Sequence, residues 1–101
     1  MRKGYVLVPE AEQDLVEIGA FVAQDSVGAA KRLITEFESA MDRLAKLPGV
    51  GHMRPDLTER PVRFWPVRSY LIVYRPDTKP IQVIRVLSGY RDVAALLRPS
   101  G

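Results

Sequence analysis

The hydrophobic pattern changes period half-way along the chain. Before residue 48 apolar side chains recur at helical spacing, and from Val62 onward they alternate as in strands. Gly4-Tyr5-Val6-Leu7-Val8 is a short β-rich run and reads as a first strand. Pro9 with Glu10, Glu12 and Asp14 behind it signals a helix start, because proline is tolerated at the first helical position and acids favour the positive end of the helix. Ala11, Leu15, Ile18 and Val22 then share one helical face, while Gly19 weakens that helix and points to close packing. Asp25 or Ser26 is positioned to cap a second helix, whose apolar stripe is Ala30, Leu33, Ile34, Phe37, Met41, Leu44 and Leu47. Pro48-Gly49 ends it.

Residues 49–61 have no periodicity and read as a loop. Three strands follow: Val62–Val67, with Pro66 arguing for an edge, then Tyr70–Arg75, and Ile81–Leu87 after the turn Pro76-Asp77-Thr78-Lys79-Pro80. Asp92 can cap a final turn from Val93 to Leu97. The order β-αα-β-β-β predicts a single α+β domain over residues 1–101, with 1–3 and 98–101 frayed. The short link between the helices makes them a hairpin, packed on one face of a small, mainly antiparallel sheet. Strict alternation puts Ile84 and Val86 against the helices and turns Arg85 toward the opposite, uncovered face.

Charge changes that picture from a generic small fold to one with a directed surface. Residues 1–50 carry six basic and eight acidic side chains, a balance of −2; residues 51–101 carry nine and four, a balance of +5. The basic half contains a single lysine, Lys79, and the segment Val62–Asp92 is threaded with Arg63, Arg68, Arg75, Arg85 and Arg91. Arginine forks recognise phosphates and carboxylates bidentately. The bland alternative is that Arg63 and Arg75 pair with helix acids and that Tyr70, Tyr74 and Trp65 belong to the core.

Several chemistries are missing. With one histidine and no cysteine the chain lacks the ligands of a structural zinc site, and no metal or cofactor is expected. Asp56, Glu59 and His52 read as loop surface. No glycine-rich phosphate loop with its lysine is present. No apolar run reaches membrane-spanning length and no signal-peptide core is visible, so a cytoplasmic protein is expected. Cleavage of RNA through its 2′-hydroxyl needs a base, an acid and cations. Arg54, Arg63 and Arg85 offer cations, and Tyr90 or His52 a weak proton carrier.

The pieces PEAEQDLVEI, GHMRPDL, VRFWPVRSYLIVYR and IRVLSGYRD, in this order and spacing, resemble the ParE branch of the RelE/ParE toxins of bacterial type II toxin–antitoxin modules. The resemblance covers roughly residues 5–97. It implies a RelE/ParE-like fold, a helical hairpin on one face of a small sheet. RelE-type members cleave mRNA in the ribosome; ParE-type members poison DNA gyrase and lack most of the nuclease set. Either kind is neutralised by a cognate antitoxin whose disordered tail folds along the toxin, giving a hetero-oligomer. Arg85 matches the family's last-strand arginine, and Tyr90 lies where nuclease members carry a C-terminal tyrosine. The chain departs from the nuclease pattern in having no lysine between Lys46 and Lys79 and no histidine after Leu87.

The resulting expectation is a gyrase-directed toxin without a catalytic site of its own. Arg85, Tyr90, Arg91 and Arg98 are its target-binding residues. Leu57, Arg63, Trp65, Arg68 and Arg85 face a ParD-like antitoxin. The alternatives are a ribosome-dependent mRNA endonuclease using Arg63, Arg85 and Tyr90, or a non-toxic antitoxin-binding remnant. Direct binding to nucleic acid is not expected, since both helices are acidic and each spends one face on the core. No membrane partner is expected either.

Overall fold

The computed structural model describes residues 4–98. Its elements are β1 (Tyr5–Leu7), α1 (Pro9–Ala23), α2 (Val27–Lys46), a 3-10 turn (Pro48–Val50), β2 (Arg63–Val67), β3 (Tyr70–Arg75), β4 (Ile81–Ser88) and α3 (Val93–Leu96). The helix starts follow the sequence signals. Pro9 opens α1, and the Ser26 hydroxyl accepts the Ala29 amide at 3.0 Å to cap α2. Asp92 caps α3 in the same way through Ala95. Residues 1–3 and 99–101, where fraying was expected, lie outside the described residues; the Arg98 amide still bonds the Ala95 carbonyl.

The sheet runs in the order β1-β4-β3-β2. β2, β3 and β4 form the expected antiparallel meander, and β1 adds parallel to β4. β2 is an edge strand, so Pro66 removes no ladder hydrogen bond that a neighbour needs. The α1–α2 hairpin covers one face. Ala11, Leu33, Phe37, Met41 and Leu44 pack there on Ile72, Tyr74, Ile81, Val83 and Val86. Leu47, placed on this stripe by the helical count, is 56% exposed, because α2 ends one residue earlier and the chain turns away.

Two expectations about the other face are corrected. It is not uncovered: Val62, Phe64, Val73, Ile84 and Leu87 form a second apolar cluster closed by Val93 and Leu97 around α3, with Leu57 packed beside it. Nor do Ile84 and Val86 share a face. Tyr74 pairs with Val83 and Val73 with Arg85, so the ladder skips Ile84. This irregularity adds one residue to β4 and resets its alternation. Val83 and Val86, three apart, both meet the hairpin, and Ile84 turns to the second cluster.

The long loop is tied down by a buried tyrosine. The Tyr74 hydroxyl donates to the Pro48 carbonyl at 2.6 Å and accepts the Gly51 amide at 2.9 Å. Burial pushes the Tyr74 phenol up from its ordinary value, since the ionised form would lose solvation. Gly51 has to be glycine for reasons of space: a Cβ there would strike the Tyr74 hydroxyl and come within 2.8 Å of its Cε1. His52 then bridges to Phe64 through backbone bonds while its side chain stays in solvent.

Candidate functional site

β1 is short. It pairs with β4 only from Ile81 to Val83, and the Val8 amide closes the ladder on the Val83 carbonyl. Beyond that point the edge of β4 needs another partner, because an unpaired buried amide is costly. Asp14 supplies it from α1. One carboxylate oxygen accepts the Val86 amide at 2.9 Å, and the carboxylate holds Arg85 in a two-pronged ion pair at 2.8 and 2.9 Å. Asp14 is only 7% exposed. The hydrogen bonds that Arg85 donates to Asp14, the charge of that carboxylate, and the more distant charges of Glu10 and Glu17 all strengthen the proton on Arg85, against the opposing cost of burial.

The last-strand arginine is therefore already engaged, rather than directed into an open face. Sequence reading placed Asp14 among the acids at the helix start. It stands instead in the second turn of α1, on the buried face with Ala11. The signal that would have found it is a lone carboxylate on an apolar stripe together with a lone arginine in an apolar strand, since a buried charge needs a counter-charge.

The other meander arginines divide between scaffold and surface. Arg63 is half-buried and donates to the Gly51 carbonyl at 2.9 Å, so it braces the loop and does not pair with a helix acid. Arg75 sits 3.8 Å from Asp77, its neighbour in the turn, and does not reach the helices either; its Nε is buried without a hydrogen-bond partner. Arg68 is exposed in the two-residue turn between β2 and β3, with φ 54°, and pairs with Glu36 of α2 at 2.8 Å. Trp65 is half-buried against the helix-side core, and the Arg43 guanidinium lies 5.5 Å from its ring centre.

Among the clefts that touch the Asp14–Arg85 pair, two involve further arginines. One, of about 370 Å³, is lined by Asp14, Glu17, Ile18, Phe21, Tyr70, Val86, Ser88 and Arg91. Phe21 is 67% exposed there, and Tyr90, next to Arg91, is 90% exposed. The other, of about 740 Å³, brings together Arg60, Arg75, Arg85 and Arg98 with Gln82 and Glu10. The structure thus places Arg91 by Ser88 at the C-terminal end of β4 and Arg98 with Arg85 by Gln82 and Ile84 nearer its start, while Arg63 holds the Gly51 loop and Arg68 marks the β2–β3 turn. The four-arginine cleft contains Arg85 without Arg63 or Tyr90.

This geometry has relatives. A family model described as the ParE toxin of the type II toxin–antitoxin system parDE matches residues 5–93. The chain belongs to the ParE toxin family. Toxin ParE3 of Caulobacter vibrioides is 31% identical to it over 74 residues, 72% of each chain. A solved chain from the chromosomal ParDE TA system of P. aeruginosa has the same fold, with a TM-score of 0.67 at 22% identity over 83% of this chain and 92% of the other. As a ParE-family member, the chain is the toxin component of a type II toxin–antitoxin system. No helix among the described residues is long and apolar enough to cross a membrane.

Proposed function

We propose that this ParE-family toxin arrests growth by acting on DNA gyrase in the cytoplasm and is held inactive by a cognate antitoxin. One observation carries the choice of gyrase over RNA. Asp14 occupies Arg85, the last-strand arginine, through a buried bidentate pair. Arg63 is likewise committed to a backbone carbonyl. Phosphate-directed catalysis needs free cations beside a general base. His52, the chain's one histidine, is exposed in the loop next to Gly51.

What stays accessible is the end of β4 and the segment after it. Tyr90, Arg91 and Arg98 are exposed, and Arg85 shares a cleft with Arg98. An exposed aromatic ring beside an arginine, as in Tyr90-Arg91, is the composition of a protein-binding hot spot. The antitoxin reading draws on other residues, Leu57, Arg63, Trp65 and Arg68, with Arg85 common to both; Leu57 packs beside the second cluster and Trp65 on the helix side of the sheet.

Induced expression in cells carrying a DNA-damage reporter tests this reading. The expected result is growth arrest with reporter activation, relieved by co-expression of the open reading frame beside the toxin. Growth arrest with a silent reporter and cleaved ribosome-bound mRNA would instead establish the ribonuclease alternative.

A further inference from the structure

Tyr90 is 90% exposed, so packing against the core does not set its position. The backbone that carries it is nevertheless fastened at several points. β4 ends at Ser88, and the Arg91 amide returns to the Ser88 carbonyl at 3.2 Å, closing a turn with Gly89 and Tyr90 at its centre. The Ser88 hydroxyl accepts the Tyr90 amide at 3.3 Å within that turn. The Gly89 amide donates to the Ser69 carbonyl at 2.8 Å, which ties this turn to the one between β2 and β3. Asp92 then caps α3 through the Ala95 amide, so the chain is held again directly after Arg91.

The spacing between the two turns is tight. A Cβ on Gly89 would stand 3.2 Å from the Ser69 carbonyl oxygen, so the glycine is what lets them approach. Ser88 itself pairs with Tyr70 at the end of the β3–β4 ladder and lines the same cleft as Arg91 and Phe21. It is therefore anchored in the sheet while its hydroxyl orders the segment beyond the sheet. The bond from Tyr90 to this hydroxyl is exposed, so water replaces it readily and it adds little to the stability of the whole chain. Its effect is local. An aromatic side chain carried on a fixed backbone loses less freedom when it meets a partner, and binds it more tightly.

We infer that Ser88 is a positioning residue: its hydroxyl, together with the Gly89–Ser69 contact, holds Tyr90 and Arg91 in the arrangement in which they meet their target. The identity of that target as gyrase rests on the proposed function; the ordering of the turn does not.

Two measurements on the purified full chain test this role. One is NMR relaxation of the Tyr90 and Arg91 amides, which reports their order. The other is the toxin concentration that gives half of the maximal gyrase-linked plasmid cleavage. Ser88→Ala should loosen both amides and raise that concentration about two- to tenfold, the worth of one hydrogen bond, at unchanged melting temperature and unchanged maximal cleavage. Ser88→Thr keeps the hydroxyl and should restore both readouts. Gly89→Ala should shift them in the same direction as Ser88→Ala by pushing the β2–β3 turn away. Amides as ordered in Ser88→Ala as in the parent chain overturn the inference, and so does an unchanged half-maximal concentration or a defect that Ser88→Thr fails to reverse. Tyr90→Ala/Arg91→Ala separates this failure from failure of the proposed function. If that double variant weakens cleavage and Ser88→Ala does not, the positioning role falls alone. If the double variant cleaves like the parent chain, the target reading falls, and the relaxation measurement still decides whether Ser88 orders the turn.

Discussion

Asp14 and Arg85 stand 71 residues apart in sequence and form one joint in the fold. The Asp14 carboxylate takes the place that a longer β1 would fill, bonding the Val86 amide as a strand would, and Arg85 neutralises it. This one contact ties α1 to the edge of the sheet beside the ladder irregularity.

The pair should respond asymmetrically to truncation. Arg85→Ala leaves a nearly buried carboxylate without its counter-charge and should cost about 3 kcal/mol. Asp14→Ala leaves a guanidinium that reaches solvent more easily, and should cost about 2 kcal/mol, part of it from the orphaned Val86 amide. Urea unfolding of both single variants and the double variant checks this. A double variant much less damaged than the two singles summed is the expected sign of coupling.

Tyr74 should make stability fall at high pH. Its folded pKa lies above the ordinary tyrosine value of 10.0, so its contribution is complete below that pH and is lost as pH rises through the folded value. Tyr74→Phe should remove that decline from melting curves collected between neutral and strongly alkaline pH. It should also cost about 1–2 kcal/mol at neutral pH, because the Pro48 carbonyl and Gly51 amide lose their partner.

Gly51→Ala should be worse than a typical surface change. The added methyl group meets the Tyr74 ring, which is fully buried and cannot yield. A loss of about 1–3 kcal/mol is expected, as for overpacked cores. Gly49→Ala, with open space around it, is the matched control.

Arg68→Ala breaks an ion pair that is exposed on both sides and should change stability by less than about 1 kcal/mol. A stable, folded variant makes Arg68 suitable for testing antitoxin contact without a folding artefact. Loss of antitoxin binding at unchanged melting temperature would support its assignment to that surface.

The elements with long, regular signals were legible in the sequence. The stripe from Ala30 to Leu44, the Ser26 cap and the edge position implied by Pro66 all appear in the structure. What escaped depended on contacts distant in sequence. Nothing local in Ile84-Arg85-Val86 announces that the ladder skips Ile84, because a bulge is set by pairing with β3. Asp14 looks like a helix-start acid until β4 is placed beside it. The cover over the second face comes from a helix of four residues, too short to show a period. The candidate site was half visible: Arg85, Arg91 and Arg98 were identified from charge, but only the fold shows that Arg60 and Arg75 share the cleft of Arg85 and Arg98 and that Arg91 lies in another, beside Ser88.

The central proposal is that the exposed segment after β4, with Tyr90 and Arg91, acts on gyrase and not on RNA. Incubating the purified toxin with DNA gyrase, ATP and supercoiled plasmid tests it most directly, with programmed ribosomes in a parallel reaction. The expected result is accumulation of gyrase-linked cleaved plasmid with intact mRNA, reduced when Tyr90 and Arg91 are changed to alanine. Unaffected gyrase beside cleaved ribosomal mRNA would contradict it.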